Sequence, residues 1–471
     1  MYLKKLHISN FRCFRDYTIE FAPGVTVLFG VNGSGKSTLI HAIHKALSFA
    51  FKNNKPKEGA ITLSSGFQSL KPNPYNRKED IVRDELSGLS LPDINIHAEA
   101  DFLGTSLEWD MYASTSTFGL QHSKYKEAYL RLMSKIREGK IFPMFAYFSD
   151  SFPHISTKAS TLTKTQLSLR NLGYLGWDDE TAYSDLWITI LTQTWTIWSR
   201  AKQRETLALS GLEENKRLKE EGEITDEEYR KTLELYEARL SNARKDLDEY
   251  EPEVSTIRSC LVSFSSELPG IDVIDFSVSV YKEEGLCLET KDGKSTSFEK
   301  LPAGYKRIFY MALDIAYRSY ILNGTTDSEG IVVIDEIDLH LHPSLEKVIL
   351  QSFQKTFPHV QFIVSTHSPL VLTEVSTVDC NNYILQMEQG TLEPIRISDI
   401  FGLDYNTGVQ EVMKVNSGDE ELEWAISECA FMLQHNLPEQ VEILKQQILN
   451  KRLISEHELE KRIEAERKRY E

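Results

Sequence analysis

The segment Gly30-Val31-Asn32-Gly33-Ser34-Gly35-Lys36-Ser37-Thr38 has the order G-x-x-x-x-G-K-[ST] and lies between an apolar run, Val25 to Phe29, and a helical pattern starting at Lys36. Gly30, Gly33 and Gly35 allow the backbone to turn several N–H groups inward, and the helix N-terminus behind them favours an anion. With Asn32, Ser34 and Thr38 they form a cradle for a nucleoside triphosphate. Lys36 is placed to reach the β- and γ-phosphates and Ser37 to ligate Mg²⁺, so ATP and Mg²⁺ are the expected cofactors. The alternative is a glycine-rich turn that matches by accident.

Near the other end of the chain, Gly330-Ile331-Val332-Val333-Ile334 runs into Asp335 and Glu336. Asp335 is positioned to hold Mg²⁺, and Glu336 to orient or deprotonate an attacking water, which together describe an ATPase. Two solvated charges at a strand end are the plainer alternative. His367 follows the next such run, Gln361 to Ser365, where it would contact the γ-phosphate or serve as an ordinary turn histidine. Arg12, in Asn10-Phe11-Arg12-Cys13-Phe14-Arg15, is near enough to the glycine loop to lie over a nucleotide, although an exposed arginine on a turn is equally ordinary.

These residues need an α/β scaffold. The β-branched runs before Gly30, Asp335 and Thr366 read as buried parallel strands, with ligands gathering at their carboxyl ends. Residues 2–9, 94–102, 107–112, 142–148, 271–281 and 285–289 carry further strand patterns, and residues 51–90 form a long polar loop. A helix from about Asp185 ends near Gly222, and the pair Thr225 and Glu228 forms a capping box for a second. In that second helix Tyr229, Leu233, Tyr236, Leu240, Ala243, Leu247 and Tyr250 alternate at spacings of 4 and 3, the seam of a coiled coil. At 1.5 Å per residue the second arm is short, about 50 Å. The seam faces either the other arm or the globular core. Residues 420–471 are charged and mostly helical, with a second capping box at Ser455 and Glu458.

With 471 residues, 41% of them apolar, the chain has material for two to four domains and a sizeable core. A formal charge of −17 weighs against a whole-surface nucleic-acid glove and leaves only local or partner-supplied contact. The five cysteines are scattered and lack C-x-x-C spacing, so neither a zinc site nor a disulfide framework is indicated. Without a long apolar run or a signal-peptide pattern, a cytoplasmic protein is expected, with no membrane partner.

The combination of Asn10-Phe11-Arg12 before the phosphate loop, Ile334-Asp335-Glu336-Ile337-Asp338-Leu339-His340-Leu341-His342-Pro343, and Ser365-Thr366-His367-Ser368-Pro369 resembles the ABC-type ATPases of the RecF, SMC and OLD branch. The resemblance covers roughly residues 1–50 and 300–405. It implies an ABC-type P-loop ATPase head with an inserted helical hairpin and a helical tail: residues 1–155 and 265–405 as the head, 156–264 as the hairpin, 406–471 as the tail. It also implies a signature loop at Leu301 to Arg307, in which Gly304 would contact the γ-phosphate held by a second copy in a head-to-tail pair. Pro302 stands where that branch has serine and removes both a hydroxyl and an N–H, which puts fast hydrolysis in doubt.

Within the branch, the short hairpin argues against SMC proteins, and the tail lacks the acidic pair of a two-metal nuclease. Size and layout, with Phe401-Gly402-Leu403-Asp404-Tyr405-Asn406, are similar to PtuA, the ATPase subunit of Septu anti-phage systems. That likeness implies a nucleotide-sensing scaffold for a separate HNH-type nuclease subunit, PtuB, with nucleic acid met by the assembled complex. Because such ATPases also occur with retrons, a retron reverse transcriptase and its DNA are further implied partners. A RecF-like DNA-repair ATPase acting through paired heads is the competing expectation. Apolar tail residues Leu422, Trp424, Ile426, Phe431 and Leu433 either receive the partner or pack on the head.

Overall fold

The computed structural model describes residues 1–51, 93–114, 119–149, 184–279, 285–375, 382–388, 391–395, 420–435, 437–450 and 456–470, with a few isolated positions that include 74–76, 79–81, 173–174 and 177. Most of the polar loop 51–90, the segment Phe401 to Asn406, Ser455 and Cys380 lie outside the described residues. The chain forms two compact units, residues 1–402 and 403–471.

The first unit is built on a six-stranded sheet of order β13-β12-β3-β11-β10-β6, comprising β3 (Val25–Phe29), β6 (Met144–Phe148), β10 (Gly330–Ile334), β11 (Val360–Thr366), β12 (Tyr383–Glu388) and β13 (Thr391–Ile395). All neighbours are parallel except β12 and β13. Every residue of β3, β10 and β11 is buried, which is why these strands read as continuous apolar runs rather than alternating ones. Because β11 lies between β3 and β10, two segments from opposite ends of the chain end side by side. α1 (Lys36–Leu47) leaves directly from the glycine loop after β3.

A second sheet, of order β2-β1-β4-β5, is antiparallel and uses β1 (Tyr2–Phe11), β2 (Phe14–Glu20), β4 (Ile94–Phe102) and β5 (Thr105–Ala113). Strict alternation of buried and half-buried residues along β4 shows one covered face. Buried Gln361 on β11 splints the two sheets: its Oε1 accepts from Leu3 N–H at 2.8 Å, and its Nε2 donates to Leu3 O at 2.9 Å and Ala22 O at 2.7 Å. α2 (Lys126–Gly139) follows β5. A third sheet is formed by β7 (Val273–Ser279), β8 (Gly285–Thr290) and β9 (Ser295–Ser297).

α3 (Ser184–Glu220) and α4 (Asp226–Ser265) form the hairpin. Both bonds of the Thr225–Glu228 capping box are present. The seam faces the other arm. Asn215, 3% exposed, donates to Tyr229 O at 3.0 Å, and the Tyr236 ring occupies the space that a Cβ on Gly211 would take, 2.3 Å from that position. Ion pairs Arg204–Asp246 and Arg244–Glu205 cross between the arms.

At its root the hairpin grips α5 (Ala303–Asn323). Trp187 Nε1 donates to Asp314 Oδ2 at 2.5 Å and its ring stacks on Tyr317 with centroids 5.5 Å apart. Tyr317 and Thr194 hydroxyls both donate to Glu253 Oε1 at 3.1 Å. Burial pushes the Glu253 carboxyl up, and these two hydrogen bonds oppose that rise.

The second unit contains α9 (Glu420–Gln434), α10 (Pro438–Asn450) and α11 (Glu456–Tyr470); α6 to α8 are short helices of the first unit at 343–346, 349–356 and 369–373. Ala425, Ile426, Cys429, Val441, Ile448, Leu459 and Ile463 make its own core. This divides the apolar tail residues: Ile426 is inside and Leu433 packs against that core, whereas Trp424 and Phe431 are 61% and 52% exposed.

Candidate nucleotide-binding site

The glycine loop takes backbone conformations that side chains would forbid. Gly33 and Gly35 have φ of 79° and 107°, and a Cβ on Gly30 would stand 2.4 Å from Met387 O. Gly35 is also the N-cap of α1, and no side chain caps that helix or places an acid in its first turn. The N-terminal N–H groups and the positive end of the helix therefore face the loop uncapped, a donor set that fits phosphate. Lys36 is buried, with Nζ donating to Gly30 O at 2.8 Å and Val31 O at 3.0 Å. Burial lowers its pKa, opposed by the carboxylates of Asp335, Glu336 and Asp338. Ser34 is buried, Thr38 half-buried, and Asn32 and Ser37 are exposed.

Parallel pairing carries Asp335 from the end of β10 to this loop. Ser37 Oγ donates to Asp335 Oδ1 at 3.3 Å, placing two hard oxygen donors together, a pair that suits Mg²⁺. Ser365, at the end of β11, donates through Oγ to Asp335 Oδ1 and accepts the Glu336 N–H at 2.8 Å. Glu336 is left-handed, with φ of 51°, a conformation that costs a non-glycine residue about 1–2 kcal/mol. The Glu336 bond to Ser365, with Ile337 N–H to Ser365 O at 3.0 Å, holds it and leaves the carboxylate half-exposed beyond the sheet. Next along, Thr366 Oγ1 donates to Asp338 Oδ1 at 2.6 Å. His367 is half-buried at the end of the same strand.

Arg307 is 1% exposed and donates from Nη1 to Leu339 O at 2.8 Å and from Nη2 to Asp335 O at 3.4 Å, tying α5 to the turn after β10. Gly304 is buried, and a Cβ there would stand 2.8 Å from His340 O. That close approach within the chain already demands glycine, whatever a second copy does. Pro302 is the exposed N-cap of α5. Arg12 sits in the β1–β2 turn with φ of 50° and gives Nε to Asp80 Oδ1 at 2.9 Å.

The structure thus brings Gly30 to Thr38, Asp335, Glu336 and His367 to one edge of the parallel sheet. Ser365, Asp338, Arg307 and Asp80 were not singled out from sequence. Ser365 lies in a quoted motif, but its bond to Asp335 follows only from strand order.

A phosphate loop and an acidic strand end on parallel strands separated by one intervening strand, with an antiparallel sheet and a helical hairpin attached, define an ABC-type P-loop ATPase head. A family model described as "AAA domain" matches residues 5–259, more than half of the chain, and an "AAA ATPase domain" model matches 178–372. The chain belongs to the AAA domain family. It resembles the retron Vc95 probable ATPase of Vibrio cholerae serotype O1 biovar El Tor, 48% identical over 91 residues, 18% of each chain. It also resembles the Septu protein PtuA of Bacillus thuringiensis, 31% identical over 176 residues, 31% of this chain and 43% of that protein. The matches therefore span less than half the length of these curated relatives. Among solved structures, a Pyrococcus furiosus Smc head domain aligns over 84% of this chain and 96% of that one, at 15% identity and a TM-score of 0.39. Among the described residues, no helix is long and apolar enough to cross a membrane.

Proposed function

We propose that this chain binds MgATP, pairs head to tail with a second copy, and serves as the nucleotide-sensing scaffold of a separate HNH-type nuclease in anti-phage defence. The observation that carries the nucleotide assignment is the Ser37–Asp335 contact beside an uncapped phosphate loop. Lys36 neutralises phosphate charge, and Ser37 with Asp335 would hold the metal. Mg²⁺ supplies charge neutralisation on the phosphates; Glu336 orients the attacking water and accepts its proton. His367 completes the edge on the γ-phosphate side. Arg12 and Gly304 contribute further phosphate contacts, the latter from the paired copy.

Likeness to retron and Septu ATPases supports the defence assignment and the expectation of partners from such systems, including a retron reverse transcriptase and its DNA in a retron setting. The test is co-expression with an HNH protein encoded beside the gene. Co-purification and nuclease activity of the complex alone support the proposal. DNA binding by paired heads without such a partner would favour a RecF-like repair ATPase instead.

A further inference from the structure

The nucleotide site leaves one buried carboxylate unexplained. Asp80, its side chain 1% exposed, meets Arg12 Nε at 2.9 Å and Lys45 Nζ at 3.1 Å. Its main chain grips the same turn: Arg12 N–H donates to Asp80 O at 3.1 Å, and Phe11 bridges Ile81. Asp80 Oδ2 also accepts the Asn76 N–H at 2.7 Å. Burial alone would raise this carboxyl, but Lys45, Asn76 and Arg12 hold it below its ordinary value, so it stays ionised.

A buried ion pair adds little net stability, because desolvation offsets attraction. What it fixes here is direction. Asn10 and Arg12 both take left-handed conformations, φ 55° and 50°, so the turn needs external support. Asp80 engages only the Nε of Arg12; the Nη nitrogens have no hydrogen-bond partner among the described residues. The turn lies against the phosphate loop, since a Cβ on Gly35 would stand 2.9 Å from Phe14 Cζ and 3.4 Å from Cys13 Sγ.

We infer that Asp80 is a positioning residue, which clamps one edge of the Arg12 guanidinium so that the other edge serves an anionic oxygen of a nucleotide bound at the phosphate loop. The inference rests on the nucleotide-binding proposal. A planar fork fixed on one side keeps its remaining donors pre-organised, which a lysine cannot do.

The test is calorimetry of MgATP binding to the full chain. Asp80→Asn and Arg12→Ala should each weaken binding about five- to tenfold, and the double variant no further than either alone. Arg12→Lys, which keeps the charge but not the planar fork, should lose as much as Arg12→Ala. Lys45→Gln, which removes the other ion pair, should alter Tm but change affinity less than about twofold. Losses that multiply in the double variant, a Lys45→Gln loss equal to that of Asp80→Asn, or wild-type affinity in Arg12→Lys would each overturn the positioning role. Lys36→Ala separates the two levels. Binding that survives it overturns the nucleotide assignment and this inference together, whereas binding that depends on Lys36 while the Asp80 and Arg12 losses multiply overturns only the inference.

Discussion

Ser37 Oγ and Asp335 Oδ1 lie 3.3 Å apart although 298 residues separate them in sequence. The contact exists because β11 intervenes between β3 and β10, so that the phosphate loop and the acidic strand end emerge two strands apart on one sheet edge. Ser365, on the intervening strand, bonds Asp335 and the Glu336 N–H. Ser37, Asp335, Glu336 and the phosphate loop are thereby held in one frame.

Removing the loop's charge should separate binding from folding. Lys36→Ala is expected to weaken ATP by at least about tenfold, or ~1.4 kcal/mol. Ser37→Ala should retain nucleotide while losing most of the enhancement by Mg²⁺. Calorimetry with and without the metal reads both, and an unchanged affinity in Lys36→Ala removes the assignment.

Turnover should be slow. An exposed Pro302 caps α5 without a hydroxyl, so the steady-state rate should lie well below the usual enzyme median of about 10 s⁻¹. Glu336→Gln should abolish the remainder and leave binding intact, because the side chain lies beyond the backbone bonds that hold residue 336. Phosphate release from the wild-type protein at or above the median rate would show that Pro302 is no obstacle.

The sequence revealed strands best where burial was complete or nearly so. The apolar runs of β3, β6, β10 and β11 could be read as core strands, and the Thr225 capping box located the start of α4 through purely local bonds. β2 and α2 were not recognised, because their polar faces dilute the periodicity over short lengths. Nor could the roles of Ser365, Gln361, Arg307 and Asp80 be read, since each depends on a long-range partner that strand order or chain return alone supplies. The direction of the α4 seam needed the opposing arm, where Gly211 makes room for Tyr236.

Acid should loosen the head through His44. This α1 residue is stacked on Tyr147 and bonded to Trp177 O, and burial pushes its pKa down to about 3 from 6.5. Below pH 6.5 the unfolded chain gains a proton that the folded one refuses, so stability present above that pH is lost progressively as pH falls toward 3. Between pH 6.5 and 5 the loss should be about 2 kcal/mol. His44→Gln should lower Tm at pH 7 but show a smaller further drop at pH 5. Parallel Tm profiles for the two proteins would exclude His44 as the cause.

On the proposed function, the tail has a face on which the nuclease subunit would dock. Trp424 and Phe431 are seven residues apart on α9, hence on one side of the helix, and both are exposed while Ala425, Ile426, Cys429 and Ala430 fill the unit's interior. Large exposed aromatics are common anchors of protein interfaces, and truncating such a residue often costs 2 kcal/mol or more, roughly thirtyfold in affinity. Trp424→Ala with Phe431→Ala should therefore leave the helical core and ATP binding intact yet abolish co-purification with the nuclease subunit. Ile426→Asp serves as the contrasting variant, since it places a charge inside the tail and should unfold that unit as well. If the double alanine protein still retains the nuclease, the dock lies elsewhere, and the hairpin from Ser184 to Ser265 becomes the surface to mutate.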